Sequence, residues 1–213
     1  MNPELSPSVK PLQEEYSRRG DVHGWWDPFY AQANGDLRAI PWSEKGVNPN
    51  LLEWLLKNPI NGASLTACIV GCGLGDDAEH IASLGFATTA FDISPTAVDW
   101  ARRRYPDSPV RYLVADLFAH NLPRFDFVLE SHTLQALPRE LRANACRAIA
   151  ALTGDRLLVI ARGCDQPEPN EEIPWPLTPA ELAVFETEGL RSVKFEDYVD
   201  AKPRRRFRVE YRR

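Results

Sequence analysis

Short apolar runs rich in β-branched residues recur through the central part of the chain, with longer segments of helical character between them. The runs lie at 66–70, 87–91, 110–114, 125–130 and 156–161. Strands that alternate with helices form a parallel sheet covered by helices on both faces. The pattern therefore predicts an α/β domain built on a doubly wound, mostly parallel sheet.

The segments between these runs carry helix signals. Gly85 ends a helix predicted over 78–84, and a Ser-Pro pair opens a second helix over 94–104. Apolar residues keep helical spacing over 141–152, which predicts a crossover helix before the fifth strand.

The end of the chain departs from this alternation. Thr178 and Glu181 form a capping box that begins the last predicted helix, which Gly189 ends. Strand patterns then follow at 192–198 and 206–211 with no helix between them. The sequence therefore predicts seven strands, of which the last is antiparallel.

Residues 1–60 show little regular pattern apart from an amphipathic run at 51–56, and they are rich in Trp, Pro and Gly. We expect them to form an N-terminal lid over an α/β core at 61–213. A chain of 213 residues has room for one such domain but not for a sizeable second module. Residues 1–213 are therefore predicted to be a single domain.

The formal net charge of −5 argues against a nucleic-acid partner, because proteins that follow phosphate backbones usually carry a basic face. The basic segment 202–208 is the exception. Phe207, Val209 and Tyr211 alternate there with charged residues, which predicts a half-buried strand whose charged side faces solvent.

The cysteines, Cys68, Cys72, Cys146 and Cys164, lack paired metal-ligand spacing. We expect reduced thiols and no metal. No apolar run approaches the length of a membrane span, and the N-terminus lacks an apolar leader. These features favour a cytoplasmic protein with no membrane partner, either a monomer or a homodimer.

Candidate chemistry is concentrated where the first predicted strand ends. Gly71, Gly73 and Gly75 follow that strand directly, as in turns that bring the backbone close to a nucleotide. Asp92 ends the next strand about 20 residues later, where an acid reaches ribose hydroxyls in this class of fold. The spacing predicts a nucleotide-type site.

Charge favours one cofactor over the dinucleotides. Asp76 stands where a dinucleotide loop needs a third glycine, and together with Asp77 it would repel a pyrophosphate. S-adenosylmethionine has no phosphate and carries a sulfonium and an ammonium group, so acids at the mouth are tolerated. Alternatively, both acids only favour a helix N-terminus through its dipole. Because the two acids would repel a pyrophosphate, a nicotinamide-dependent oxidoreductase is the least favoured of the candidate functions.

Taken together, these residues resemble class I S-adenosylmethionine-dependent methyltransferases. The turn at 71–77, the Asp-Ile-Ser at 92–94, the Asp-Leu-Phe at 116–118 and the Phe-Asp at 125–126 are similar more narrowly to the thiopurine and halide/thiol methyltransferase-like group. The resemblance implies a Rossmann-like methyltransferase fold whose turn approaches the methionine part of the cofactor. Its cofactor-binding candidates are Trp42, Gly71, Cys72, Gly73, Asp92, Ile93, Asp116, Leu117, Phe118 and Glu130.

Methyl transfer needs mainly alignment of the acceptor and exclusion of water, since the sulfonium already activates the methyl group. A thiolate acceptor needs no base. For an alcohol or amine, His132 is the candidate base, with Glu130 beside it at the same strand end; a structural histidine is the alternative. Candidates for the acceptor pocket are Trp25, Trp26, Phe29, Tyr30, Gln135, Trp175 and, for an anionic group, Arg162.

The sequence favours a small-molecule methyl acceptor. Two alternatives stay open. One is a methyltransferase acting on RNA or protein, and the other is a non-catalytic module that binds S-adenosylmethionine.

Overall fold

The computed structural model describes residues 9–43, 45–167 and 174–213. Their centre is one seven-stranded sheet, ordered β3-β2-β1-β4-β5-β7-β6. Neighbouring strands run parallel except that β7 is antiparallel to both β5 and β6. The strands are β1 Thr66–Val70, β2 Ala87–Asp92, β3 Arg111–Val114, β4 Phe125–Ser131, β5 Thr153–Arg162, β6 Arg191–Val199 and β7 Arg205–Arg212. The predicted sheet and its antiparallel last strand are confirmed.

The described residues form eight α-helices and two single 3₁₀ turns, the latter at Leu37–Ala39 and Leu134–Ala136. The helices are α1 Val9–Arg18, α2 Trp26–Ala33, α3 Pro49–Lys57, α4 Asp76–Ser83, α5 Pro95–Arg104, α6 Arg139–Leu152, α7 Pro179–Leu182 and α8 Val184–Thr187. None of these helices combines the length and the apolar character that a membrane crossing requires.

Local signals placed the core helices well. The Ser94 hydroxyl accepts from the Ala97 amide at 3.0 Å and caps α5, and the capping box of Thr178 and Glu181 is formed as predicted. The prediction of one continuous last helix was wrong, because Ala183 separates α7 from α8.

Apolar side chains cover both faces of the sheet. One face packs against α6, α7 and α8, and the other against α3, α4 and α5. Helix residues buried on the first face include Ala145, Ile149, Leu182 and Phe185; those on the second include Leu51, Trp54, Ile81 and Val98. Two covered faces explain why the central strands read as continuous apolar runs.

The N-terminal part has more regular structure than its sequence predicted. Aromatic residues of low helix propensity dominate α2, and that helix is held by packing instead: Phe29, Tyr30 and Ala33 are buried in a third apolar cluster. The Asp27 carboxylate accepts from the Ser94 hydroxyl at 2.7 Å and from the Thr96 amide at 2.8 Å. These bonds attach the lid to the N-terminus of α5.

The charged side of β7 is not in solvent, which corrects the prediction for the basic segment. Arg206 and Arg208 are each 2% exposed. The charged face of β7 is covered where Arg208 meets Asn50 of α3 and Arg206 meets His132 after β4, and buried charges require partners. Arg208 donates to Glu196 at 2.7 Å and to the Asn50 carbonyl at 2.8 Å.

Candidate active site

A cavity of about 210 Å³ lies at the carboxyl ends of the central parallel strands, beneath the N-terminal lid. In open α/β sheets this edge is where ligands bind. The sequence-predicted residues that line it are Trp26, Tyr30, Trp42, Gly71, Cys72, Gly73, Asp92, Ile93, Asp116, Leu117, Phe118 and His132. The fold thus brings most of the cofactor candidates to one place.

The glycine turn between β1 and α4 depends on glycine for two reasons. Gly71 and Gly75 have φ of +59° and +89°, a backbone region that other residues rarely adopt. A Cβ on Gly71 would lie 2.3 Å from Thr133 Oγ1, and one on Gly75 would lie 2.4 Å from the Tyr112 hydroxyl. The turn therefore requires glycine at both positions for its own backbone and packing, and its approach to a ligand stays a prediction.

Asp92 ties this turn to the end of β2. Its Oδ2 accepts from the Gly73 amide at 2.9 Å and its Oδ1 accepts from the Ser94 amide at 3.0 Å. The side chain is 8% exposed, and burial raises the pKa of its carboxyl. A carboxylate has about four lone-pair positions, so two remain for other donors. This acceptor set fits the two hydroxyls of a ribose.

Three residues after β3 form the neighbouring part of the cavity. Asp116 Oδ1 accepts from the Phe118 amide at 2.8 Å, which shapes the turn. Leu117 is buried, while the Phe118 ring lies 5.6 Å from that of His23. The second carboxylate oxygen of Asp116, beside apolar side chains, could accept a hydrogen bond from an exocyclic amine on a flat ring.

The acids at the start of α4 both have protein partners. Asp76 is paired with Arg104 at 2.7 Å and accepts from the Tyr105 hydroxyl at 2.9 Å. Asp77 accepts from the Asn48 amide at 2.8 Å. The charge of Asp76 is thus largely compensated, although both residues line the cavity and stand in the first turn of a helix.

Three aromatic residues of the N-terminal lid, Trp26, Tyr30 and Trp42, cover the cavity. Trp42 Nε1 donates to the Tyr30 hydroxyl at 2.9 Å, and the Trp26 and Trp42 rings meet edge to face at 5.3 Å. Burial raises the pKa of Tyr30. Trp25 stacks on Trp26 at 3.8 Å but does not line the cavity, and neither does Phe29. These last two residues support the lid.

Besides Trp25 and Phe29, three further acceptor-pocket candidates, Gln135, Arg162 and Trp175, lie outside the cavity lining. Gln135 is buried; its Oε1 accepts from the Arg162 amide at 2.8 Å and its Nε2 donates to the Trp175 carbonyl at 3.0 Å. Arg162 donates to the Pro174 carbonyl at 2.8 Å. Instead of lining the site, these residues hold Pro174 in position, and Pro174 does line it.

Glu130 is likewise not one of the described residues that line the cavity. It is 0% exposed on the α6 side of β4, where Oε1 accepts from the Leu134 amide at 2.9 Å. In the described ranges Oε2 has no hydrogen-bond partner. Burial raises the pKa of this carboxyl to about 7. The side chain is therefore not placed to contact a cofactor or to serve as a catalytic group in the cavity.

His132 lines the cavity, but both of its ring nitrogens are engaged. Nε2 is 2.8 Å from Arg206 Nη1, and Nδ1 is 3.2 Å from Ser131 Oγ. Burial and the adjacent Arg206 and Arg204 charges lower its pKa to about 3. A neutral ring whose acceptor nitrogen already receives a hydrogen bond is poorly suited to remove a proton.

Several cavity residues were missed by sequence reasoning. Ser131 and Thr133 follow β4, and the rule that ligands bind at the carboxyl ends of strands would have found them. The Asn48 signal was that of a helix cap, with no indication of a site. His23, Ile40, Ala136 and Leu137 also line the cavity and carried no specific signal.

The chain is similar in sequence to known methyltransferases. Residues 68–155 match the family model described as "Methyltransferase domain". Over 149 residues the chain is 28% identical to a curated protein of Mycobacteroides abscessus, 2-heptyl-1-hydroxyquinolin-4(1H)-one methyltransferase. The alignment covers 67% of this chain and 64% of that relative, which is less than two thirds of the relative's length.

Solved structures show the same fold. Magnesium protoporphyrin IX methyltransferase ChlM from Synechocystis PCC 6803, with bound S-adenosylmethionine, superposes with a TM-score of 0.65 at 17% identity over 98% of both chains. The [4+2]-cyclase SpnF superposes with a TM-score of 0.62 at 16% identity over 77% of this chain and 80% of the other. At such identities the likeness concerns the fold alone.

Residues 68–155 of this chain are similar to a methyltransferase domain, and they contain the glycine turn and its acid, Asp92. Asp92 and Asp116, predicted to hold the ribose and the adenine of S-adenosylmethionine, both line the cavity.

Proposed function

We propose that this protein transfers the methyl group of S-adenosylmethionine to a small-molecule acceptor. The observation that carries this proposal is a single cavity that joins the glycine turn, Asp92 and Asp116 to a cover of lid aromatics. A cofactor site that opens into an apolar chamber suits a small acceptor placed beside the methyl group.

The acceptor side of the cavity is predominantly apolar and aromatic. It is lined by Trp26, Ile40, Trp42, Leu137 and Pro174. This lining supports a flat, apolar acceptor that carries an oxygen, sulfur or nitrogen nucleophile. The names of the relatives, a hydroxyquinolinone methyltransferase and a porphyrin methyltransferase, support a ring-containing small molecule. A thiol acceptor, as in the thiopurine and halide/thiol group, fits the same lining.

The roles of this chain's residues follow from their geometry. S-adenosylmethionine supplies a methyl group activated by a sulfonium. Asp92 would hold the ribose, Asp116 with Leu117 and Phe118 would hold the adenine, and the Gly71–Gly73 backbone would approach the methionine part. Tyr30 and Trp42 cover the chamber and exclude water.

The test combines binding and turnover. Calorimetry with S-adenosylhomocysteine measures the cofactor site directly, and chromatography of S-adenosylhomocysteine formed from S-adenosylmethionine measures transfer. We expect binding by the purified protein and turnover with members of a panel of phenols, N-hydroxy heteroaromatics and aryl thiols. Asp92→Ala should abolish both.

The same panel separates the alternatives. Binding without turnover on any panel member, or on total RNA and protein extracts, would instead indicate a non-catalytic module. Turnover on RNA that falls steeply with salt would indicate a nucleic-acid methyltransferase. Failure of the wild-type protein to bind either cofactor form would refute the proposal.

A further inference from the structure

Ser131 ends β4 and lines the cavity, and its hydroxyl lies at the meeting point of two polar side chains. Asn48 Nδ2 is 2.9 Å from Ser131 Oγ, and His132 Nδ1 is 3.2 Å from it. The direction of each hydrogen bond decides what this hydroxyl can offer a ligand.

The orientation of the Asn48 amide follows from its second contact. The Asn50 amide approaches the Asn48 side chain at 2.9 Å, and a backbone N–H can only donate. The atom facing it is therefore the amide oxygen. Consequently the NH₂ group faces Ser131 and donates to its Oγ.

The protonation of His132 follows in the same way. A guanidinium has no acceptor atom, so Arg206 must donate to His132 Nε2. The neutral ring then carries its proton on Nδ1, and that proton is donated to Ser131 Oγ. Arg206 is itself held by Asp200 at 2.7 Å, which fixes the start of the relay.

Two donors thus occupy the lone pairs of the Ser131 hydroxyl, and its own hydrogen must point away from both of them. In the described part of the chain, Asn48 and His132 are its hydrogen-bond neighbours. A guanidinium at the far end polarises the relay and strengthens donation from the last member. The hydroxyl is left as a donor at the cavity wall.

We propose that the Ser131 hydroxyl donates a hydrogen bond to an anionic oxygen of the ligand bound in this cavity. Two sources carry such an oxygen, the carboxylate of the cofactor's methionine part and the ionised hydroxyl of a phenol-like methyl acceptor. The inference rests on the proposed function. It adds that the ligand group contacting Ser131, at the end of β4, is negatively charged.

The first arm of the test separates the amino-acid part of the cofactor from its nucleoside. S-adenosylhomocysteine and 5′-methylthioadenosine share the nucleoside and the sulfur, but only the former has the carboxylate. If the carboxylate is the partner, Ser131→Ala binds S-adenosylhomocysteine about tenfold more weakly and 5′-methylthioadenosine unchanged, measured by calorimetry. Asp92→Asn should weaken both ligands.

The second arm tests the acceptor without turnover. The protein saturated with S-adenosylhomocysteine is titrated with 4-nitrophenol at fixed pH, and the absorbance of the yellow anion is followed. If the acceptor's oxyanion is the partner, the wild-type protein increases the anionic fraction and Ser131→Ala loses that increase. Ser131→Thr keeps a hydroxyl, so it should show the wild-type result in the arm in which Ser131→Ala differs from the wild type.

Ser83→Ala serves as the matched control, since it removes an exposed hydroxyl at the end of α4, outside the cavity lining, and should leave both arms unchanged. Circular dichroism and a thermal melt check that each variant is folded. Unchanged values for Ser131→Ala in both arms would overturn the inference. Because wild-type binding of S-adenosylhomocysteine is measured in the same series, that outcome is distinguishable from failure of the proposed function.

Discussion

At the scale of single residues, Asp92 connects the sequence motif to the chemistry most directly. Its carboxylate accepts from the Gly73 amide inside the turn and from the Ser94 amide at the start of α5, so it both shapes the loop and presents oxygens to the cavity. A carboxylate in this position is stabilised by amide donors and is held in one orientation.

We predict that Asp92→Asn reduces affinity for S-adenosylhomocysteine by at least about tenfold, because an amide offers one acceptor oxygen in place of two and loses the charge. Isothermal calorimetry measures the change. Asp99→Asn, on the exposed face of α5, is the matched control and should bind like the wild type. Equal affinities for the two variants would contradict the role of Asp92.

Glu130 gives a prediction about stability and pH. Burial raises the pKa of its carboxyl to about 7, above the ordinary value of 4.5, so the folded protein binds this proton more tightly than the unfolded chain does. This contribution therefore favours folding at low pH and is lost as pH rises from about 4.5 to 7. The lowered pKa of His132 has the opposite effect: it reduces the stability of the folded protein as pH falls below the ordinary histidine pKa of 6.5.

Glu130→Gln isolates the Glu130 contribution, because the His132 contribution is common to both proteins. The free energy of unfolding of the variant relative to wild type should increase by about 3 kcal/mol between pH 4.5 and 7.5, as the wild type incurs the cost of a buried charge. Urea titrations across this range provide the measurement. A difference that does not change with pH would show that Glu130 keeps an ordinary pKa.

At the scale of elements, two attachments build the site: the turn that joins β1 to α4, and the bonds that hold α2 against α5. Gly75 belongs to the first and combines a left-handed backbone with a close neighbour, the Tyr112 hydroxyl. Asp27 belongs to the second and accepts two hydrogen bonds at the start of α5.

Gly75→Ala should lower the free energy of unfolding by about 2–4 kcal/mol, since it adds strain at a positive φ and a clash. Gly20→Ala shares the positive φ of +75° but has no atom within 4 Å of the new Cβ. Gly20→Ala should cost only the backbone strain of about 1–2 kcal/mol. Equal costs for the two variants, measured by urea unfolding, would show that the clash with Tyr112 is relieved.

Asp27→Ala should loosen the lid without unfolding the core, because it removes two hydrogen bonds between α2 and α5. We expect faster hydrogen exchange in α2 and severalfold weaker binding of S-adenosylhomocysteine, with exchange in β1 and β4 unchanged. Glu14→Gln, an exposed acid on α1, is the control. Unchanged exchange in α2 would mean that aromatic packing alone holds the lid.

At the scale of the whole molecule, the insertion of β7 between β5 and β6 decides the environment of the C-terminal arginines. Arg208 is buried where β7, β6 and α3 meet, bonded to Glu196 and to the Asn50 carbonyl. Arg206 joins Asp200 before the hairpin turn to His132 in the cavity wall. The hairpin at the end of the chain therefore supports the site as well as the sheet.

Arg208→Met should destabilise the protein by about 2–3 kcal/mol, because it removes a buried ion pair with Glu196 and a hydrogen bond to the Asn50 carbonyl. Arg212 lies on β7 like Arg208, but its ion pair with Asp155 of β5 is more exposed. Arg212→Met should therefore cost only about 0–1 kcal/mol. Chemical unfolding of both variants compares them. A cost for Arg208→Met no larger than that of Arg212→Met would contradict its structural role.

Most of the fold was determined by the sequence itself. Apolar runs for the strands, caps such as Ser94-Pro95 and the glycine turn are local signals, because helix caps, tight turns and buried strands each impose their own residue types within a few positions. The glycine turn and Asp92, at their characteristic spacing, likewise indicate a nucleotide-type site from the order of residues alone.

The acceptor side of the site was decided only by tertiary structure. Gln135, Arg162 and Trp175 fit an acceptor pocket by their places after strands, yet in the fold they bond to one another and to Pro174. The charged side of the last strand was predicted to face solvent, but Arg206 on that side is buried against His132 and so fixes the proton on that ring. Such contacts join residues far apart in the chain, and they depend on strand order and on lid packing, which no local pattern encodes.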